Sequence, residues 1–598
     1  MPVWDLGDLV PAPAARHIAA GLKKAEKVAT AFKVQYENKV AKLPPAGFAR
    51  AFELYEAICA ELARLGGYVS LDRTTKLDDA GAAQLYQSVS EKISDISAQL
   101  IFFRLELNRA SDSTVKKWMQ DKNAARYQPV VTQIRSYRPH QLSDEVEKIL
   151  HDRDVTGTAA WMRMFDETSA RLRFSFRGKT VTETEIFHHL LSDDGAVRRD
   201  AHAVIGKVLQ ENAATFGLIL NTIAKDKEVD DRQRGFKTVM ASRNLDNQVE
   251  DEVVEALTTS VRKSHKRLSH RYYTLKAKWL GKAKLDIWDR NAPLPFAAKR
   301  KISWQQAQKI VTDAYGAFHP QMATVAQQFF DGGWIDAQPR AGKDSGAFSA
   351  STVPSVHPYI LMNYKGGLED VMTLAHELGH GVHQVLAAKQ GYFMADTPLT
   401  LAETASVFGE MLVFQSLLDQ EKDPAARLAL LARKVEDMLN TVVRQVAFHD
   451  FEYQFHTARQ KGELTPEEIG DIWMRVMRES LGPAFNYDTN YRYFWSYISH
   501  FYHAPFYVYA YAFGDCLVNA LYMAYKDSEK KGGAGFADKY IGLLSAGGTL
   551  HHRDLLKPFG LNAADPAFWS RGLKLIESFI DQLESGGKTA SLSAPRRK

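Results

Sequence analysis

Thr373 to Gln384 reads TLAHELGHGVHQ and places His376, Glu377 and His380 in the pattern H-E-x-x-H. On a helix, residues four apart lie one turn above each other, so both imidazoles can reach one divalent ion. Glu377, about 100° round the helix, leans towards that ion's open side. Two neutral nitrogen donors and a carboxylate able to take a proton from water are what hydrolysis at zinc requires. The surrounding residues Val371, Leu374, Leu378, Val382 and Leu386 make this helix apolar. Burying imidazoles and a carboxylate there without partners costs several kcal/mol. A bound cation removes that cost, which favours a metal site over hydrogen-bonded core histidines.

Two histidines need a third protein ligand. A metzincin-type site would carry glycine three residues and histidine six residues after the second histidine, but those positions are His383 and Leu386. A glutamate on a following helix is the alternative. DTPLTLAETASVFGEML supplies one: Asp396 or Thr397 is the expected cap, Pro398 falls in the first turn, and Leu401, Ala405, Phe408 and Leu412 form an apolar face. Glu403 and Glu410 lie two turns apart on nearly one side. Glu403 is assigned as third ligand and Glu410 as the acceptor that orients a ligand imidazole. A solvated surface glutamate is the plainer reading of Glu410. Gly379 and Gly381 are expected to let this second helix approach closely.

The elements that must position these groups are mostly helical. Apolar residues recur at helical spacing over Ala14 to Leu43, Gly47 to Leu65, Ala80 to Leu107, Gly195 to Lys225 and Val249 to Gly281. Ser303 with Gln306, and Thr465 before Pro466, read as helix starts. Strand-like stretches cluster just before the metal helix, at Lys284 (KLDIWD), Gly346 (GAFSAS) and Tyr359 (YILMNY), so a small sheet beside that helix is expected. An extended peptide can add itself to such a sheet's edge, which makes Gly346, Ala347, Phe348, Tyr359 and Asn363 candidate substrate-binding residues.

Composition bounds the rest. With 45% hydrophobic and 25% charged residues, the 598-residue chain is of ordinary globular type. Its net charge of +5 is spread along the chain and demands no nucleic-acid partner. Two distant cysteines, Cys59 and Cys516, build neither a disulfide framework nor a cysteine zinc site. No stretch reaches the apolar length of a membrane span, and the start lacks a signal-peptide pattern, so a cytoplasmic protein is expected. The expected division is an N-terminal helical domain over 1–200, a catalytic domain over 201–585 and a disordered tail over 586–598. Oligomeric state is not legible in the sequence.

LTLAHELGHGVH followed by PLTLAETASVFGE resembles the oligoendopeptidase F branch of the M3, or thimet oligopeptidase-like, zinc peptidases. SGAFSASTVPSVHPYILMNYKGG and YISHFYHAPFYVYAYAFG extend the likeness, which runs from about Glu145 to Glu584. The resemblance implies a mainly α, two-lobed ellipsoid enclosing a substrate channel, with one zinc per chain and a small β-sheet beside the zinc-binding helix. It also implies cleavage of internal bonds in short unstructured oligopeptides. His376, His380 and Glu403 match the family's ligands and Glu377 its general base. The HFYHAPFYVY stretch matches a family cluster of histidine and tyrosine that binds the substrate carbonyl and the oxyanion. Tyr502 and Tyr509 have the spacing of two such tyrosines. His500 and His503 compete for the histidine role, with His500 taken as catalytic and His503 as substrate-binding.

Two other readings compete. A non-catalytic helical protein with a structural zinc would close the coordination shell, with His383 the nearest fourth ligand. A zinc carboxypeptidase or dipeptidase would need a basic residue pinning the peptide's carboxylate, and none is identifiable by position.

Overall fold

The structure, a computed structural model, describes residues 1–295, 301–531 and 535–590. The fold is mainly α with a few small sheets. The chain gathers into two compact units drawn differently from the linear division expected. One comprises Met1–Pro139, Lys299–Leu417 and Tyr525–Gly560; the other comprises His140–Ala298, Leu418–Ala524 and Leu561–Lys598. Among the described residues no helix is long and apolar enough to cross a membrane.

The first unit begins with Ala14–Tyr36, Pro45–Thr74, Ala80–Ala98 and Ile101–Arg109. The first helix stops seven residues short of Leu43, because Asn38 turns into the left-handed region at φ 63° and a short 3-10 turn follows. Aromatic rings fill the space between these helices. Phe48 stacks on Trp118 with centroids 4.1 Å apart, and Phe52 stacks on Tyr127 at 4.3 Å. The same core takes in Tyr359 and Leu361 from the unit's sheet.

That sheet has three strands. Tyr359–Leu361 is central and wholly buried, parallel to Ile335–Asp336 on one side and antiparallel to Phe348–Ala350 on the other. Phe348–Ala350 is an edge strand. The buried Lys343 staples the sheet's end: its Nζ donates to the carbonyls of Asp336 (3.0 Å), Gln338 (3.1 Å) and Met362 (2.6 Å) and pairs with the Asp336 carboxylate at 2.7 Å. Two of the three expected strands therefore lie together beside the metal helix. The third does not: Leu285–Asp286 pairs with Phe485–Asn486 in the second unit. Asp286 and Asp289 cap a 3-10 turn immediately after it, which ends the strand before it can extend.

In the second unit, two long periodic stretches are each split in two. Gly195–Glu211 and Ala213–Arg234 meet at Asn212, and Asp251–Ser264 and Ser269–Trp279 meet near Leu268. Ser269 donates its hydroxyl to the Ser480 carbonyl at 2.5 Å, so a tertiary partner holds the second break. The starts at Ser303 and Thr465 are capping boxes as expected. The last helix runs Pro566–Ala590, so the expected tail begins as helix, and 591–598 lie outside the described residues.

Candidate metal centre

The helix Leu368–Ala387 starts where the Asp370 carboxylate accepts from the N–H groups of Lys365 and Gly367, both at 2.8 Å. Its buried row Val371, Leu374, Ala375, Leu378 and Val382 packs inward. Tyr315, from the helix Trp304–Phe318, donates to the Ala375 carbonyl at 2.5 Å and fixes the turn that carries the histidines. The rings of His376 and His380 lie 4.9 Å apart at 81°.

The second helix, Leu399–Gln420, begins one residue after Pro398 and delivers its carboxylates to this point. Glu403 Oε2 lies 3.4 Å from His376 Nε2 and 3.5 Å from His380 Nε2, and accepts from Ser406 Oγ at 2.6 Å. Glu410 Oε2 lies 3.4 Å from His376 Nδ1, the ring nitrogen that Glu403 does not approach. The close approach needs Gly379: a Cβ there would sit 2.5 Å from the Ala405 carbonyl oxygen and 2.6 Å from Ser406 Cα. Gly381 has a different neighbour from the one expected, the ring of Phe329.

The donor atoms of His376, His380 and Glu403 all lie within 4.8 Å of one another. Their electrostatics ask for a cation. Burial disfavours a charged His376, yet the Glu410 hydrogen bond and the charges of Glu403 and Glu377 lift it to about 9. Burial alone would raise Glu403, but His380, His376 and Ser406 bring it down to about 2. Two nitrogens, one carboxylate and a surplus of negative charge fit a divalent ion of the zinc type. Glu377 is buried at 6% exposure, and that burial lifts its carboxyl above the usual range against the pull of His376 and His380. His383 does not join the group. It is buried, its Nε2 is shut off without a partner, and burial followed by His380 pushes it down to about 4. The fourth-ligand role considered for it has no support here.

The edge strand is tied to the same helix. Gln384, two turns after His376, accepts from Ser349 Oγ at 2.8 Å and donates to the Ser349 carbonyl at 3.2 Å. Gly346 and Ala347 are exposed and Phe348 is half-buried. Two of the expected substrate contacts have partners within the fold. Tyr359 is wholly buried, with its ring against Trp4 and His357. Asn363 spends its amide on the carbonyls of Asp344 (2.8 Å) and Gly346 (3.3 Å) and so shapes the loop before the strand. A cavity of about 470 Å³ opens beyond the strand, lined by Ser351, Gln384, Ala388, Tyr392 and Asp396 among others.

The histidine and tyrosine cluster belongs to the second unit. Tyr509 is wholly buried; its hydroxyl donates to Asn244 Oδ1 at 2.7 Å and accepts from Asn247 Nδ2 at 2.8 Å. Tyr502 is wholly buried against Phe165, with centroids 3.9 Å apart. Neither hydroxyl is presented as an oxyanion donor, because both tyrosines are part of this unit's core. His503 is held at both ring nitrogens, by Asp166 (2.9 Å) and the Ser499 carbonyl (3.1 Å). His500 is half-buried, pairs through Nε2 with the Tyr511 hydroxyl at 3.1 Å and stacks beside Tyr507. Tyr507 and Tyr511, two residues either side of Tyr509, are half-buried. Ser406, three residues after Glu403, was readable from helical spacing; Tyr315, 60 residues before its partner, left no sequence signal.

Residues 188–575 match peptidase family M3, and residues 106–174 match an Oligopeptidase F domain. The chain is 27% identical to oligopeptidase PepF of Bacillus subtilis over 550 residues, covering 89% of this chain and 81% of that protein. It is 24% identical to an oligoendopeptidase F homolog of Borreliella burgdorferi, covering 90% and 91%. Its fold superposes on a crystal structure from Chlamydophila abortus with TM-score 0.84 at 22% identity, covering 98% of each chain. Oligoendopeptidase-F from Enterococcus faecium superposes with TM-score 0.72 at 22% identity, covering 96% of this chain and 98% of that one. With the M3 match spanning well over half its length and reaching across both helices of the metal centre, this chain belongs to peptidase family M3, in the oligoendopeptidase F branch, and is a metalloendopeptidase.

Proposed function

We propose that this chain is a zinc-dependent endopeptidase that hydrolyses internal bonds of short unstructured oligopeptides. The observation that carries the reading is the convergence of His376, His380 and Glu403 beside the buried Glu377. These three residues would hold the ion, and Glu410 would fix the His376 ring from its other nitrogen. When bound, zinc supplies Lewis acidity, making water a nucleophile near neutral pH and polarising the scissile carbonyl. Glu377 takes the proton of the attacking water and hands it to the leaving amine. A carboxyl whose burial raises its proton affinity is suited to hold that proton between the two steps. The edge strand Phe348–Ala350 offers backbone groups to an extended peptide, with Gly346 and Ala347 open for its approach. The relatives' names, oligopeptidase and oligoendopeptidase, support oligopeptides as substrates. A reducing cytoplasm suits the two free cysteines.

The test is a mixed peptide library incubated with the enzyme, with and without a chelator, and read by mass spectrometry. Internal cleavage that stops on chelation is expected. Release of single residues or dipeptides from one end would replace the endopeptidase reading. Glu377→Gln should keep its zinc and lose turnover by several orders of magnitude, whereas Glu403→Ala should lose zinc; a fully active Glu377→Gln enzyme sinks the assignment.

A further inference from the structure

The cavity beyond the edge strand, about 470 Å³ and lined wholly by the first unit, is built from the ends of the elements that make the metal centre. Gln384 lies one turn beyond His380 on the same face of the helix Leu368–Ala387, about 5.4 Å further along. Asp396 stands on the chain leading into the helix that carries Glu403. Ser351 follows directly on the edge strand Phe348–Ala350. An extended peptide advances about 3.3 Å per residue, so the cavity is in reach of a side chain within about two residues of a bond held at the metal.

The rim of the cavity is held in a costly shape. Thr352 adopts φ 52°, an unfavourable conformation for a β-branched residue, and its hydroxyl donates to the His357 carbonyl at 3.3 Å. The Val356 N–H donates to the Val353 carbonyl at 3.0 Å and closes the turn between them. The His357 ring stacks on Trp334 with centroids 4.0 Å apart and pairs with Asp8 at 3.1 Å.

The charge of the lining is one-sided. It contains two carboxylates, Asp8 and Asp396, and no lysine or arginine. Asp8 has His357 as its partner. Asp396 is exposed, and among the described residues no lysine, arginine or histidine pairs with it. Partial desolvation raises its proton affinity against the pull of the Ser351 hydroxyl. Burial, Cys59 and then Asp396 hold the Tyr392 phenol up at about 12, so this neighbour stays neutral. The remaining wall is apolar, with Val353, Val356, Val385 and Ala388. Apolar walls suit the methylene stem of a long side chain, and a carboxylate without a counter-ion suits its cationic head.

We propose that this cavity is a specificity pocket for a lysine or arginine side chain of the substrate peptide, with Asp396 as the counter-ion. The proposal rests on the endopeptidase reading above and narrows its substrates to oligopeptides with a basic residue close to the cleaved bond.

The test uses the zinc-loaded full-length protein and peptides blocked at both ends, so that no terminal charge competes. Each position around the cleaved bond carries in turn lysine, arginine, norleucine, citrulline or glutamate, and kcat/KM is read by mass spectrometry. At one position lysine and arginine should exceed norleucine and citrulline at least about fivefold, with glutamate below all four. Asp396→Asn should bring that ratio close to one, and Asp396→Lys should turn the preference towards glutamate. The proposal is overturned if no position favours a basic residue, or if the preference survives Asp396→Asn. If no peptide is cleaved at all, it is the endopeptidase reading that fails. In that case, or if the variants do not fold, wild-type crystals soaked with N-acetylargininamide decide. Guanidinium density within hydrogen-bonding reach of the Asp396 carboxylate is expected, and an empty cavity overturns the pocket.

Discussion

Substituting Gly379 by alanine tests the geometry of the metal centre without touching a ligand. The new Cβ would meet backbone, the Ala405 carbonyl oxygen at 2.5 Å and Ser406 Cα at 2.6 Å, so no side chain can rotate to make room. Restoring a tolerable contact of 3.0 to 3.4 Å requires the two helices to separate locally by about 0.5 to 0.9 Å. Glu403 lies two residues before Ala405 and moves with it. Zinc–ligand distances tolerate only about 0.2 Å, so this displacement takes the carboxylate out of range. Zinc affinity, measured by competition with a fluorescent chelator, should fall at least about tenfold, the loss seen when supporting groups of a metal site are disturbed. Overpacking should also cost about 1 to 3 kcal/mol of stability in the zinc-free protein. Gly381→Ala is the control. It crowds the ring of Phe329, on the helix Pro320–Asp331, and should lower stability while leaving zinc affinity near wild type. The reasoning fails if Gly379→Ala binds zinc as tightly as wild type, or if Gly381→Ala loses as much affinity.

Glu410→Gln removes the charge behind His376 Nδ1 and should weaken zinc binding roughly 10- to 100-fold with the helical circular dichroism unchanged; unchanged affinity would return Glu410 to a surface role. Tyr509→Phe deletes a buried hydroxyl paired with Asn244 and Asn247 and should destabilise by about 1 to 3 kcal/mol, read as a lower urea midpoint; an unaltered midpoint would mean the pair is not formed. Glu452 is wholly buried, with Oε1 accepting from Phe506 N–H at 2.8 Å and Oε2 unpaired, and burial pushes it up to about 8 despite that hydrogen bond and the nearby Arg243 and Lys227. Between the unfolded value near 4.5 and about 8, the folded state holds a proton the unfolded chain has lost. Stability from this group is therefore full below that window and declines by roughly 1.4 kcal/mol per pH unit across it. Glu452→Gln should flatten the fall in melting temperature between pH 5 and pH 8, and a parallel pair of curves would contradict the shift.

What the sequence made legible was the chemistry carried on single helices. His376, Glu377 and His380 are fixed relative to one another by 3.6-residue periodicity, and Glu403 and Glu410 likewise. The joining of the two helices could only be inferred from the cost of burying charge and from Gly379 and Gly381, of which only Gly379 meets the second helix. The aromatic cluster was less legible for the converse reason. In YISHFYHAPFYVYAYAFG every second or third residue is a ring, so spacing does not separate a tyrosine in the core from one facing open space. What does is tertiary: Asn244 and Asn247 draw Tyr509 inward and Phe165 covers Tyr502, whereas His500 pairs with Tyr511.

The same distinction explains the split helices and the misplaced strand. Apolar periodicity continues through Asn212 and Leu268 because the faces on both sides still turn towards the core; what breaks each helix is a change of direction, held at Ser269 by a carbonyl 211 residues away. Lys284 to Asp289 sits close in sequence to Gly346 and Tyr359, yet Leu285 finds its partner at Phe485. Local sequence sets which face of an element is apolar, and so where a ligand set can be built within one helix. The partner of that face is chosen by backbone contacts distant in sequence, and at this metal centre that contact is the absent side chain of Gly379 against Ala405 and Ser406.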